Sequence, residues 1–279
     1  MTTPALRFAV LGDPIAHSKS PALHGAAYRA LGLPHTYEAI RTTEHDLPAL
    51  VAALRAGTYA GFNVTVPHKQ RVLALCDAID SSAERVAAAN TLVVEAGRVV
   101  AYNTDVPALA AELAAMAPER SPQIWGAHPA LVIGTGGAAR AAMAALSGLG
   151  VKHVTVRSRR GNDAATALDL EHAAGSTMTI THESLATGDD DFLFHTVVQC
   201  TSLGMHGADA GEHARDAVDW EHTAPTLIAY DVVYNPAETP FLRAAREHGR
   251  RAMNGEGMLR KQGALAFERW LGVPFPALG

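Results

Sequence analysis

One segment constrains this chain more than any other. Leu131-Val132-Ile133 runs straight into Gly134-Thr135-Gly136-Gly137-Ala138-Ala139, and helix-forming residues follow to Leu149. A short apolar strand, a glycine turn and a helix together form the unit that cradles a dinucleotide pyrophosphate. Glycine permits the tight turn, a missing side chain lets backbone N–H groups reach the phosphates, and the helix N-terminus adds a favourable field. The pattern G-x-G-x-x-A alone also fits a plain tight turn. Its strand–turn–helix setting makes Gly134, Thr135, Gly136, Gly137 and Ala138 candidate cofactor-binding residues.

The next strand, His153–Val156, bears on which dinucleotide is held. NAD sites usually place an acid about 20 residues on, where it grips the ribose hydroxyls. Here the strand leads into Arg157-Ser158-Arg159-Arg160, with no acid. Guanidinium groups grip a 2′-phosphate through paired hydrogen bonds. The position of these residues favours NADP over a merely solvated basic loop.

Strand-like and helix-like stretches alternate on both sides of this segment, which favours α/β architecture with parallel strands. Strands are predicted at Arg7–Leu11, His35–Ile40 and Gly61–Val66, with helices at Pro21–Leu31 and Asp46–Ala56. Lys69–Cys76 and Ser82–Ala87 look helical, and Thr91–Glu95 with Arg98–Tyr102 reads as a hairpin closed at Ala96-Gly97. Leu109–Met116 is a further helix, whereas Ala117–Pro129, with three prolines and a glycine, reads as a surface loop before a second unit. That unit continues through Val197–Gln199, Leu227–Asp231, Phe241–Glu247 and the closing helix Gly257–Trp270, with polar loops at Gly188–Asp191 and Gly207–Glu212. A chain of 279 residues is comfortable for two domains.

Composition removes other classes. Net charge is −5, so the basic excess of a nucleic-acid binder is missing. No apolar run approaches the ~20 residues of a membrane helix, and Met1–Arg7 does not read as a secretory signal. Two cysteines, Cys76 and Cys200, are too few for a disulfide scaffold and point to a reducing cytoplasm. Nothing in the histidine spacing points to a metal.

Four polar groups in the first half resist a purely structural account. In His17-Ser18-Lys19-Ser20-Pro21, Ser20 before Pro21 reads as a helix N-cap. Ser18 and Ser20 also lie two apart, and two hydroxyls at a helix start suit a carboxylate. In Asn63-Val64-Thr65-Val66-Pro67-His68-Lys69, alternation sets Asn63 and Thr65 on one face. Pro67 is expected to start a helix, which puts Lys69 in a first turn that favours anions rather than cations. Asn90-Thr91 and Asn103-Thr104-Asp105 flank the hairpin and would each pass as turn chemistry. Asn63, Thr65 and Asp105 fall near strand C-terminal ends, where open α/β sheets hold ligands.

Taken in order, these segments resemble the shikimate dehydrogenase family, the NADP-dependent enzymes of aromatic (chorismate) biosynthesis, over essentially the whole length. His17–Pro21 is similar to H-S-x-S-P, Asn63–Lys69 to N-V-T-x-P-x-K, Asn90-Thr91 to A-x-N-T, and Asn103–Asp105 to N-T-D. Tyr230–Tyr234 with Thr239-Pro240 is similar to Y-D-x-x-Y…T-P, and Gly255–Leu259 with Gln262 to G-x-G-M-L-x-x-Q.

The resemblance implies two α/β domains. Residues 1–105 and 254–279 would bind substrate, residues 106–253 would form a Rossmann-type NADP domain, and the C-terminal helix would return to the first domain. It implies Ser18, Ser20 and Tyr234 on the shikimate carboxylate, and Asn63, Thr65, Asn90 and Gln262 around the ring hydroxyls. It makes Lys69 and Asp105 the catalytic pair, and adds Val232 and Gly255 to the cofactor residues Gly134–Ala138, Arg157, Ser158, Arg159 and Arg160. It implies a small-molecule partner only, with no nucleic acid or membrane, in a monomer or homodimer.

Three departures from the family pattern stand out. Ser158-Arg159-Arg160 replaces N-R-T, Gln199-Cys200-Thr201-Ser202 replaces N-A-T-S, and Arg260 and Lys261 replace smaller or apolar residues beside Gln262. Ser20, where quinate-accepting relatives commonly carry Thr, favours shikimate. A quinate/shikimate dehydrogenase using NAD(P) and a non-catalytic NADPH-sensing homologue remain the alternative readings.

Overall fold

Alternation along β1 (Arg7–Gly12) organises the first half of the molecule. Ala9 and Leu11 point into one apolar cluster with Leu47, Val51 and Leu54, while Phe8 points the other way onto Tyr28 and Phe267. A strand buried on both faces needs a layer of helix on each side. The computed structural model describes residues 4–159, 164–175, 177–185 and 193–278, and the chain divides into two units. Unit 1 comprises Met1–Asp105 and Leu259–Gly279, and unit 2 comprises Val106–Met258.

In unit 1, β1 is followed by α1 (Ser20–Ala30), β2 (Thr36–Arg41), α2 (Leu47–Arg55) and β3 (Gly61–Val64). A 3-10 turn (Arg71–Leu75), β4 (Ala78–Ile79), α3 (Ser81–Val86), β5 (Thr91–Glu95) and β6 (Arg98–Tyr102) follow. Strand order is β2-β1-β3-β5-β6-β4. The first three strands are parallel, but the hairpin inserts β5 antiparallel to both β3 and β6, so this sheet is mixed. The hairpin has the bounds expected of it; its effect on the neighbouring pairing was not legible.

Unit 2 is opened by α4 (Asp105–Met116), whose first residue closes unit 1. Next come α5 (Pro122–Ala127), β7 (Ala130–Ile133), α6 (Gly137–Leu149), β8 (His153–Ser158), α7 (Ala164–Ala174), β9 (Thr179–Ser184) and β10 (Thr196–Gln199). The chain continues through α8 (Glu212–Arg215), β11 (Ile228–Asp231), α9 (Pro240–Glu247), β12 (Arg251–Asn254) and α10 (Glu256–Leu271). Its six strands, in order β12-β11-β10-β7-β8-β9, are all parallel. α10 starts in unit 2, and its larger part, from Leu259 onward, belongs to unit 1. The division falls at Met258/Leu259 rather than 253/254, because Gly255 still donates to Val233 O (3.1 Å) and Gly257 backs onto the Glu112 carboxylate.

Several expectations need correction. The loop expected at Ala117–Pro129 contains α5, which Ser121 caps by accepting from Ile124 N and which buries Trp125. Ser20 is not the cap of α1 but its first residue; Lys19 occupies the cap position, and Ser18 Oγ accepts from Ser20 N at 3.3 Å. Lys69 lies before any helix, since His68 N bonds Thr65 O and only the 3-10 turn from Arg71 follows. Besides α5 and α8, four numbered elements had no counterpart in the sequence reading. β4 has two residues, β9 and β12 are half-exposed edge strands without an apolar run, and α7 is alanine-rich with little periodicity. The loop expected at Gly188–Asp191 and Arg160 lie outside the described residues.

Candidate active site

Strand register assembles the polar cluster of unit 1. The antiparallel pairs Asn63↔Thr91 and Thr91↔Tyr102 set three strands in line. Asn90 N also bonds Tyr102 O at 3.0 Å, which brings Asn103-Thr104-Asp105 beside Asn90. Lys69 arrives from the turn after β3, and its carbonyl is anchored by Ala89 N at 2.7 Å.

At the centre, Lys69 Nζ donates to Asp105 Oδ2 at 2.6 Å. The side chains are only 15% and 5% exposed, so each charge depends on the other for compensation. Asn90 Nδ2 donates to Asp105 Oδ1 (2.9 Å), and Asp105 N donates to Asn103 Oδ1 (3.0 Å). The carboxylate is thus held at both oxygens and through its backbone. Thr104 N, which can only donate, meets Asn90 Oδ1 at 2.8 Å and fixes that amide's orientation. The amine of Asn90 then faces three acceptors: Thr104 Oγ1 (2.8 Å), Asp105 Oδ1 (2.9 Å) and Gln262 Oε1 (3.1 Å). Gln262 reaches this group from α10, while its own amine donates to Leu259 O at 2.9 Å.

Asn63 Nδ2 donates to Asn90 O and Thr91 Oγ1, so Asn63 belongs to the same network. Ser18, Ser20 and Thr65 sit on segments that leave the C-terminal ends of the parallel neighbours β1 and β3. Asp13 N to Val66 O (3.0 Å) and Thr65 N to Leu11 O (2.9 Å) tie those segments together. Tyr37, which sequence reasoning did not select, and Asn103 and Thr104, to which it gave no individual role, are part of the hydrogen-bonded cluster. The Asn-Thr pair at 103–104 was visible; Tyr37, in an edge strand, gave no signal.

Unit 2 contributes a different kind of site. Gly134 has φ +109°, and a Cβ there would lie 2.7 Å from Thr201 Cγ2, so glycine is required. Gly136 caps α6 in extended backbone and a Cβ there would meet nothing within 4 Å. An open turn at the start of a 13-residue helix fits a pyrophosphate. Ser158 ends β8 and exposed Arg159 follows it.

Arg157 does not join them. It is 1% exposed, its Nε donates to Glu183 Oε2 (2.8 Å) and its Nη1 to Ala217 O (2.8 Å), with the guanidinium over Phe194. It lies within β8, which is buried on both faces at Val156–Ser158, so it is a core residue rather than a phosphate ligand. Val232 N bonds Gln199 O (3.0 Å), and half-buried Tyr234 follows two residues later. Asp231 underlies this segment. Burial pushes its carboxyl up to about 7, against hydrogen bonds from Thr239 Oγ1 (2.6 Å) and Val233 N (2.9 Å) that favour the charged form.

The chain as a whole is similar to known proteins. Residues 10–92 match the family model described as the shikimate dehydrogenase substrate binding domain. The chain is 36% identical over 270 residues to shikimate dehydrogenase (NADP(+)) of Carboxydothermus hydrogenoformans, covering 96% of this chain and 92% of that one. It is 39% identical over 265 residues to shikimate dehydrogenase (NADP(+)) of Cereibacter sphaeroides, covering 95% and 91%. This chain belongs to the shikimate dehydrogenase family. A crystal structure of the Thermus thermophilus shikimate 5-dehydrogenase in complex with NADP(H) and shikimate superposes with TM-score 0.78 at 34% identity, covering 97% of this chain and 95% of that one.

Within the shikimate dehydrogenase family pattern, the Gln199 departure is accommodated. Its amine donates to Leu203 O (3.1 Å) and Asp231 Oδ1 (3.2 Å), and its oxygen accepts from Thr201 N. Cys200 is buried, and burial raises its thiol pKa, so it is inert at neutral pH. Among the described residues, no helix is long and apolar enough to cross a membrane.

Proposed function

We propose that this chain catalyses the reversible, NADP-dependent interconversion of shikimate and 3-dehydroshikimate, with Lys69 and Asp105 handling the proton. The observation that carries the reading is the enclosed 2.6 Å Lys69–Asp105 pair, held by Asn90 in a chain of this family. Gly134–Ala138, Ser158, Arg159, Val232 and Gly255 would hold the dinucleotide. When bound, NADP supplies the hydride acceptor or, reduced, the hydride donor.

The chain's own residues do the rest. Ser18, Ser20 and Tyr234 bind the carboxylate, and Asn63, Thr65, Asn90 and Gln262 orient the ring hydroxyls. As shikimate is oxidised, the reacting hydroxyl loses its proton to the Lys69–Asp105 pair while its carbon loses a hydride and the C=O bond forms. In reduction the same pair returns the proton to the carbonyl oxygen. A pre-oriented donor–acceptor pair of this kind contributes about 10²–10⁴-fold. The enzyme would work in the cytoplasm as a monomer or homodimer.

The test is Lys69→Ala, assayed by NADP reduction with shikimate. Turnover should fall by about 10²–10⁴-fold while NADP binding and the folded state persist. Near-normal turnover would refute the assignment. The same assay with quinate, and with NAD, separates a quinate/shikimate dehydrogenase; no turnover by the unaltered chain would favour the sensor reading.

A further inference from the structure

We propose that Tyr37 is a positioning residue for the substrate site, fixing the amide of Asn63 so that it presents an oxygen rather than an amine to a substrate hydroxyl. The inference rests on the substrate role proposed for Asn63. Tyr37 OH donates to Asn63 Oδ1 at 2.6 Å. The direction of that bond is forced from the other end of the amide. Asn63 Nδ2 lies 3.1 Å from the Asn90 carbonyl oxygen and 3.2 Å from Thr91 Oγ1. A carbonyl oxygen only accepts, so the amine must face Asn90 and the amide oxygen must face Tyr37. An oxygen facing the phenol makes the phenol the donor. Both amine hydrogens of Asn63 are then engaged within the protein. What remains for a ligand is the second lone pair on Oδ1, which accepts from a hydroxyl.

Tyr37 is itself held for this task. It lies on β2, two strands from Asn63 in the order β2-β1-β3, a separation of about 9–10 Å that two side chains can bridge. Alternation puts Asn63 on the same face as Gly61, whose Cα lies against the Trp270 ring, and so on the aromatic side of the sheet. There the Tyr37 ring stacks on buried His24, with centroids 4.3 Å apart and planes 4° from parallel, and it also packs near Trp270. The ring is clamped by packing, and only its hydroxyl reaches the polar cluster.

The experiment is a double-mutant cycle of Tyr37→Phe and Asn63→Ala in the full chain, read in shikimate oxidation. Phenylalanine keeps the stack on His24 and removes only the hydroxyl. Tyr37→Phe should raise KM for shikimate about tenfold, the effect of one lost hydrogen bond of this strength, with kcat within about twofold. KM for NADP should stay as it was, and the melting temperature should fall by no more than a few degrees. In the Asn63→Ala background Tyr37→Phe should add nothing, because there is no amide left to hold.

Effects that simply add, or a Tyr37→Phe enzyme with unchanged KM, would overturn the proposal. An Asn63→Ala enzyme with unchanged KM would overturn it together with the role of Asn63. The Lys69→Ala result judges the reaction separately.

Discussion

The two units solve different problems with opposite materials. Unit 1 builds its site from side chains: Lys69, Asn90, Asp105, Gln262, Asn63 and Tyr37 each occupy another's hydrogen-bonding capacity. The cofactor site proposed for unit 2 rests on missing side chains, with Gly134 at φ +109° and open space at Gly136. Proton transfer needs named functional groups at fixed positions, whereas a pyrophosphate needs bare backbone at a helix start. Deleting atoms should therefore break unit 1, and adding atoms should break unit 2.

The largest expected effect that tests this contrast comes from Gly134→Ala. Its left-handed backbone and the nearby Thr201 impose strain of about 1–3 kcal/mol. The variant should lose stability in urea unfolding and raise KM for NADP by about 10–100-fold. Gly136→Ala sharpens the point, because its Cβ has room. Stability should be unchanged while KM for NADP still rises; an unchanged KM would mean the turn does not approach the phosphates.

A smaller effect separates two neighbouring arginines. Arg159→Ala should lower the preference for NADP over NAD about tenfold, in line with one charge-assisted hydrogen bond, with unfolding unaltered. Arg157→Ala should do the reverse, losing stability because Glu183 and the Ala217 carbonyl lose their partner, with little change in cofactor preference. If both variants shifted cofactor preference alike, the inward placement of Arg157 would be wrong.

The smallest effect is in pH dependence, where the units have opposite sign. Burial holds the His24 ring down at about 3 against an ordinary 6.5, so the unfolded chain takes up a proton that the folded chain refuses. That contribution is intact above pH 6.5 and falls by about 1.4 kcal/mol between pH 7.5 and 5.5. Asp231, pushed up to about 7, contributes in the other direction: its stabilisation is present below about pH 4 and lost as pH rises toward 7. His24→Phe should make urea-unfolding stability fall more steeply with rising pH across 5.5–7.5. Asp231→Asn should make it rise. Identical slopes in both variants would show that neither group titrates as described.

Sequence reading was strongest where structure is local. The hairpin 91–102 and the turn 134–138 follow from residues adjacent in the chain, and both have the expected bounds. It failed where tertiary placement decides. Arg157 and Arg159 look equivalent in a basic tetrapeptide, but β8 ends at Ser158, so Arg157 lies inside a covered sheet and Arg159 beyond its end. Edge strands β9 and β12 lack an apolar run because each has a neighbour on one side only. Of the site, Asn63, Thr65 and Asp105 were legible as polar groups near strand ends, whereas Lys69 reads as lying in a helical first turn and Asn90 as turn chemistry. Tyr37 was not legible, because its partner lies 26 positions away across two strands.

The Asn90 amine has two hydrogens and three claimants, and Gln262, at 3.1 Å, stands farthest from it. One oxygen in that trio is always short of a proton. Gln262 is thus the member most easily drawn off toward an arriving molecule. Its departure would leave Asn90 serving Thr104 and Asp105 alone, so the carboxylate beside Lys69 would be gripped harder once that molecule is bound.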